Sequence, residues 1–145
     1  MKHVAVSLAC VAITASSLFA QAASKTFSKS FNAEGLSKLR FELPGKVDLK
    51  VWSQPNIRVE INVSLPAGSE STLEQLAKVG RYDLKSEIKA DQMTISAPNL
   101  QRSVKVKGEE LREIVHYVVF IPKDLEAEIG SPSTTTGMVI VGKKP

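Results

Sequence analysis

Cysteine is nearly absent: of 145 residues only Cys10 is one. A lone thiol forms no internal disulfide and supplies no thiolate metal cluster. Histidine is almost as scarce, with His3 and His116 alone. A histidine base needs a nucleophile and an orienting group in reach, and a metal needs three or four ligands. Neither set is visible, so the expectation is no catalytic residue, no metal site and no cofactor. A charge excess of one sign is also missing. The formal net charge is +4 and acidic and basic residues interleave along most of the chain, the pattern of a solvated surface and not of a nucleic-acid stripe. Gly-rich phosphate loops, EF-hand loops and zinc-type spacings do not occur. Long apolar runs are confined to the first 20 residues or so.

That run has the form of a signal peptide. Met1-Lys2-His3 is a short basic start, Val4 to Ala20 is apolar and small, and Ala20-Gln21-Ala22 is an A-x-A cleavage site. The run is short of the roughly 20 strongly apolar residues of a membrane span and no basic stop-transfer cluster follows it. Leu8-Ala9-Cys10 imitates a lipidation box, but Ser7 stands where leucine is usual and the apolar run continues well past Cys10. The expectation is therefore a leader over 1–22 and one domain over 23–145, exported to the periplasm or else to the cell surface or the medium. Cleavage after Ala22 leaves 123 of the 145 residues, enough for one core. It also removes the only cysteine.

Period-two alternation dominates what remains. Leu39, Phe41 and Leu43 share one parity, as do Val47, Leu49 and Val51, then Ile57, Val59, Ile61, Val63 and Leu65. Pro44-Gly45 and Gln54-Pro55-Asn56 punctuate these runs, which predicts three strands in meander order. Ser71 to Gly80 changes to helical spacing through Leu73, Leu76 and Ala77, with Ser71 and Glu74 placed for a capping box. Alternation through Tyr82, Leu84, Ser86 and Ile88, a turn at 90–92, then Met93, Ile95 and Ala97 predicts a β-hairpin. A polar, basic excursion fills 99–112. Ile114 to Ile121 is apolar on both parities apart from His116, which predicts a central strand covered on both faces. Residues 130–137 form a Ser/Thr/Pro/Gly linker before an apolar run from Met138 to Val141. Strands recurring roughly every 8–12 residues predict an all-β fold. It is expected as an antiparallel β-sandwich or a short β-solenoid-like stack, with one short inserted α-helix.

Three segments carry a family resemblance: Phe41 through Val59 with Leu43, Lys46, Val47, Leu49, Ser53 and Ile57; the hairpin end Met93-Thr94-Ile95; and Val118-Val119-Phe120-Ile121-Pro122-Lys123-Asp124-Leu125. Over about 31–141 the chain resembles bacterial adhesin-like domains of unknown function, of the head-GIN or auto-transporter-adhesin type. The resemblance implies an exported β-helical or sandwich-like stack without shared catalytic residues.

The remaining polar clusters have plain explanations. His116 lies in the most apolar strand, where a histidine hydrogen-bonded to a neighbour is expected. Ser133 to Thr136 belongs to the linker. Glu109, Glu110 and Glu113 interleave with Lys107 and Arg112 and read as a solvated turn, and the sequon at Asn62 falls within a strand. Two features suggest binding. Arg102, Lys105 and Lys107 precede any acid until Glu109, a candidate patch for an anionic lipid or acidic glycan. Trp52 has the parity opposite to Leu49 and Val51, which predicts an indole on an outer face beside Lys50, able to stack on a sugar or anchor a partner. The expected function is a non-enzymatic cell-envelope module with a structural, adhesin-like or protein-binding role. Its partner is an envelope protein or polymer, its oligomeric state is open, and anionic-ligand binding is the alternative. An enzyme is the third reading.

Overall fold

The computed structural model describes residues 22–130 and 140–141. The expectations for the leader through Gln21, for Cys10, for the Ser133–Thr136 stretch and for Met138-Val139 lie outside these residues. In chain order the strands are β1 (Ala23–Asn32), β2 (Lys38–Glu42), β3 (Lys46–Trp52) and β4 (Asn56–Leu65). Helix α1 (Glu70–Lys78) follows, then β5 (Lys85–Lys89), β6 (Gln92–Ser96), β7 (Lys105–Val106), β8 (Glu109–Glu110), β9 (Ile114–Pro122), β10 (Glu126–Gly130) and β11 (Ile140–Val141). The fold is all-β with one inserted helix. No helix among the described residues is long and apolar enough to cross a membrane.

The strands form a four-stranded sheet ordered β1-β4-β9-β3 and a five-stranded sheet ordered β11-β10-β2-β6-β5, with β7-β8 as a separate ribbon. Inward residues of both large sheets contribute to one core, including Leu39 and Phe41 of β2, Ile57 to Leu65 of β4, Ile95 of β6 and Tyr117 to Ile121 of β9. Strand β4 shows the cause most clearly: its five aliphatic side chains are all buried while the polar residues between them are half-buried, as the alternation of side chains along a strand requires. The two sheets thus enclose a sandwich core, with Leu73 and Leu76 of α1 joining it.

The meander and the purely antiparallel pairing are corrected. Strands β2 and β3 lie in different sheets, β3 and β4 flank β9 from opposite sides, and the β3–β9, β2–β6 and β2–β10 ladders are parallel. The chain crosses between sheets where a meander would have made a hairpin, and strands that return after a crossover pair in parallel. Gly45 makes the crossing from β2 to β3 possible. Its φ is +126° and a Cβ there would sit 2.6 Å from the Val115 carbonyl oxygen, a backbone conformation and an approach that only glycine permits.

Three local expectations shift. The helix is capped by Ser69, whose extended backbone lets its Oγ accept the Thr72 amide at 3.2 Å. Glu74 is released from the expected capping box and meets Lys25 Nζ at 3.0 Å. The 85–96 hairpin forms as expected, but β5 is an edge strand exposed along its whole length, Ile88 included. Strand β9 is central in its sheet, yet only one face is buried, because Val118 and Phe120 on the other are half-open to solvent.

Candidate functional site

The half-open face of β9 is the outer face of the four-stranded sheet. Parallel pairing sets Lys46, Asp48, Lys50 and Trp52 of β3 beside His116, Val118, Phe120 and Pro122. Antiparallel pairing sets Asn62, Glu60 and Arg58 of β4 beside His116, Val118 and Phe120 on the other side. Ser24, Thr26, Ser28 and Ser30 of β1 extend the polar side. A spine that is apolar except for His116 thus runs along β9 between two polar margins, from the exposed Ile114 to the aromatic end.

At that end Trp52 and Phe120 are in contact, with ring centroids 5.1 Å apart and planes at 35°. The indole Nε1–H donates to the Asn56 carbonyl at 2.9 Å, so the ring is held in place with its one polar group satisfied. Lys50 Nζ lies 5.8 Å from the Phe120 centroid, within cation–π range. Trp52 therefore stands on the outer face beside Lys50, as its parity predicts.

Most charges on this face have a partner nearby, whereas Lys50 has no acid partner among the described residues and lies over the Phe120 ring. His116 Nε2–H donates to Asp48 Oδ2 at 2.7 Å and Lys46 Nζ is 3.8 Å from Asp48 Oδ1. The His116 hydrogen bond, with Lys46 and Lys50 close by, holds the Asp48 carboxyl below the usual carboxylate range. Arg58 reaches Glu60 at 3.1 Å and donates through Nε to Ser28 Oγ at 3.1 Å. Thr26 donates to Asn62 at 2.6 Å and Ser64 to Ser24 at 3.2 Å. The β4 margin is internally neutralised, and the β3 margin keeps Lys50 as a cation without an acid partner among the described residues.

The basic cluster is distributed differently. Lys105 lies on β7 and Lys107 in the turn of the β7–β8 ribbon, with φ +52° before Gly108 at +82°, the two positive angles of a type I′ hairpin turn. The ribbon folds Glu110 across from Lys105 and Glu109 across from Val106. Arg102 borders a cleft of about 470 Å³ with Arg81, Ser103 and Glu113, whereas Lys107 borders another with Thr72 and Arg112. The three cations are not gathered in one cavity.

Sequence reasoning misplaced Glu113. It is not in a solvated turn: its side chain is 6% exposed and that of Arg81 is 8% exposed. Arg81 Nη2 donates to Glu113 Oε2 at 2.7 Å, and its Nε lies 3.2 and 3.4 Å from the two carboxylate oxygens. The Tyr82 hydroxyl donates to Glu113 Oε1 at 2.8 Å. Arg81 Nη1 donates to the carbonyls of Asn99 and Arg102. Burial, and then the bond to Glu113, push the Tyr82 phenol above its ordinary range. Both oxygens of the carboxylate are occupied, so the network clamps the 98–102 turn and the start of β9 to the end of α1. The signal was present: Glu113 has the parity of Val115, Tyr117 and Val119, which is the inward one.

Tyr117, fully buried, is raised by burial first and then by the nearby Glu113 charge. Its hydroxyl has no hydrogen-bond partner among the described residues. The described residues hold no group of three or more His, Cys, Asp or Glu placed to bind a metal.

No family model matches the chain, and no curated protein does. Among solved structures it is similar to a "putative cell adhesion protein" from Clostridium sporogenes ATCC 15579, with 16% identity and a TM-score of 0.44. The match covers 74% of this chain and 46% of that one, so it spans less than half of the other protein's length.

Proposed function

We propose that the chain is a non-enzymatic, exported module of the cell envelope that holds a partner protein or an envelope polymer on the outer face of its four-stranded sheet. The observation that carries this reading is the Trp52–Phe120 pair, half-buried on an open face and fixed by the Nε1 bond to Asn56. Aromatic groups that are already held lose little freedom on binding, which is why they recur as anchors at interfaces. The signal-peptide pattern expected over 1–22 is the ground for proposing export. The acids of β8 opposite the Lys105–Lys107 ribbon favour the sheet face over the basic excursion as the contact surface.

Co-sedimentation of the purified protein with isolated bacterial envelope tests the reading. Wild type should bind, and Val118→Glu, a charge set mid-face, should weaken binding at least about tenfold. The triple variant Arg102→Glu, Lys105→Glu, Lys107→Glu should bind like wild type. Binding that survives Val118→Glu and disappears in the triple variant would overturn the assignment of the face. Hydrolysis of ester, glycoside or peptide substrates that is lost in His116→Ala would overturn the non-enzymatic reading.

A further inference from the structure

The geometry points to a neutral polysaccharide as the occupant of the outer face, an inference that rests on the binding role proposed above and narrows its partner. Three features converge. First, the outward residues of β9, from Ile114 through His116, Val118 and Phe120 to Pro122, are apolar except for His116 and follow one strand over roughly 26 Å at the usual rise per residue, which suits an elongated chain and not a compact ligand. Second, the spine ends on rings. The carbon-bound hydrogens of a sugar face pack on an aromatic π-surface, and Trp52 and Phe120 supply two rings side by side.

Third, the margins match hydroxyls and not charges. Lys46, Asp48 and His116 answer one another on one side, and Arg58 answers Glu60 on the other. A polyanion would have to break these pairs to reach any cation other than Lys50, which lies over the Phe120 ring. Sugar hydroxyls can instead donate to the Asp48 and Glu60 carboxylates and accept from Asn62 or Ser28 without removing a charge from its partner. A peptide strand takes its affinity from main-chain bonding at a sheet edge, which here is the outer edge of β3, whereas the interior strand β9 that carries the spine has no free backbone groups to offer.

Trp52 is the sole tryptophan of the chain, so its fluorescence reads the site directly. Titration of the full protein with dextran, a soluble β-glucan and a galactomannan, against alginate and heparin as acidic controls, gives the test. At least one neutral polymer should shift or quench the emission and retard the protein in affinity gels. The effect should be unchanged by 0.5 M salt, because no net charge is neutralised. Phe120→Ala should weaken it tenfold or more and Phe120→Tyr should restore most of it, while circular dichroism verifies that both fold.

A response to alginate or heparin alone, abolished by salt, would overturn the inference. So would an emission shift that depends on protein concentration without sugar and accompanies a dimer in sedimentation, because the occupant would then be a second copy. Envelope binding that remains sensitive to Val118→Glu with no response to any neutral polymer would refute the polysaccharide and leave the binding role standing.

Discussion

Replacing Glu113 with alanine should be among the most damaging single changes in this chain. The substitution strands the Arg81 guanidinium, 8% exposed, with two carbonyl acceptors and no counter-charge, and removes the acceptor of the Tyr82 hydroxyl. Losing one partner of a buried ion pair costs about 3–5 kcal/mol, and a stranded hydroxyl about 1–3 kcal/mol. The two overlap, because the cleft beside Arg81 and Glu113 admits water to the opened site, so about 4 kcal/mol is expected. Arg81→Met alone leaves a buried carboxylate that keeps the Tyr82 bond, and should cost about 3 kcal/mol. Arg81→Met with Glu113→Leu removes both charges. It still deprives the Asn99 and Arg102 carbonyls of their donor and the Tyr82 hydroxyl of its acceptor, so a residual cost of about 3 kcal/mol is expected instead of the summed singles. Urea unfolding followed by circular dichroism measures all of these variants. For comparison, Lys25→Ala breaks a pair whose side chains are 34% and 50% exposed and should cost less than about 1 kcal/mol. A Glu113→Ala loss within about 1 kcal/mol of wild type, or a double variant as unstable as the summed singles, would refute the clamp.

Acid should weaken the outer face through Asp48, whose folded pKa is held below its unfolded value by the His116 hydrogen bond. Its contribution is complete above the unfolded carboxylate value of about 3.9 and is lost as the pH falls below it. Asp48→Asn should therefore flatten part of the decline in urea midpoint between about pH 5 and pH 2; an unchanged acid limb would show that the His116 contact contributes nothing. Tyr117→Phe removes a buried hydroxyl without a partner among the described residues and should leave stability equal to wild type or up to about 1 kcal/mol higher. Destabilisation beyond about 1 kcal/mol in the same assay would mean that the hydroxyl is bonded.

The direction of each side chain was legible in the sequence, because it depends only on parity within one strand. The inward aliphatics of β4, the outward Trp52 and the buried Met93 and Ile95 of β6 follow from it, whereas Ile88 of the edge strand β5 does not. Strand β1 was harder to see, because its inner parity alternates Phe27 and Phe31 with Lys25 and Lys29. These lysines keep that face by reaching out of it, Lys25 to Glu74 and Lys29 to the Leu84 carbonyl. The basic cluster misled for a related reason. Counting Arg102 to Lys107 as one charge run ignores the turn that folds Glu110 across from Lys105.

What parity cannot supply is the neighbour, and here the neighbour makes the site. In a meander β3 would pair with β4, and Trp52 would share its side of the sheet with polar Arg58 and Asn56. The crossover at Gly45 instead places β3 parallel to β9, so that Trp52 lies beside Pro122 and packs on Phe120, and Asp48 comes within reach of His116. The aromatic pair and the Asp48–His116 contact are thus products of one topological choice. That choice is permitted by a positive-φ glycine with no room for a side chain. The residue that made the strand order hard to read is the one on which the face depends, although it lies outside that face.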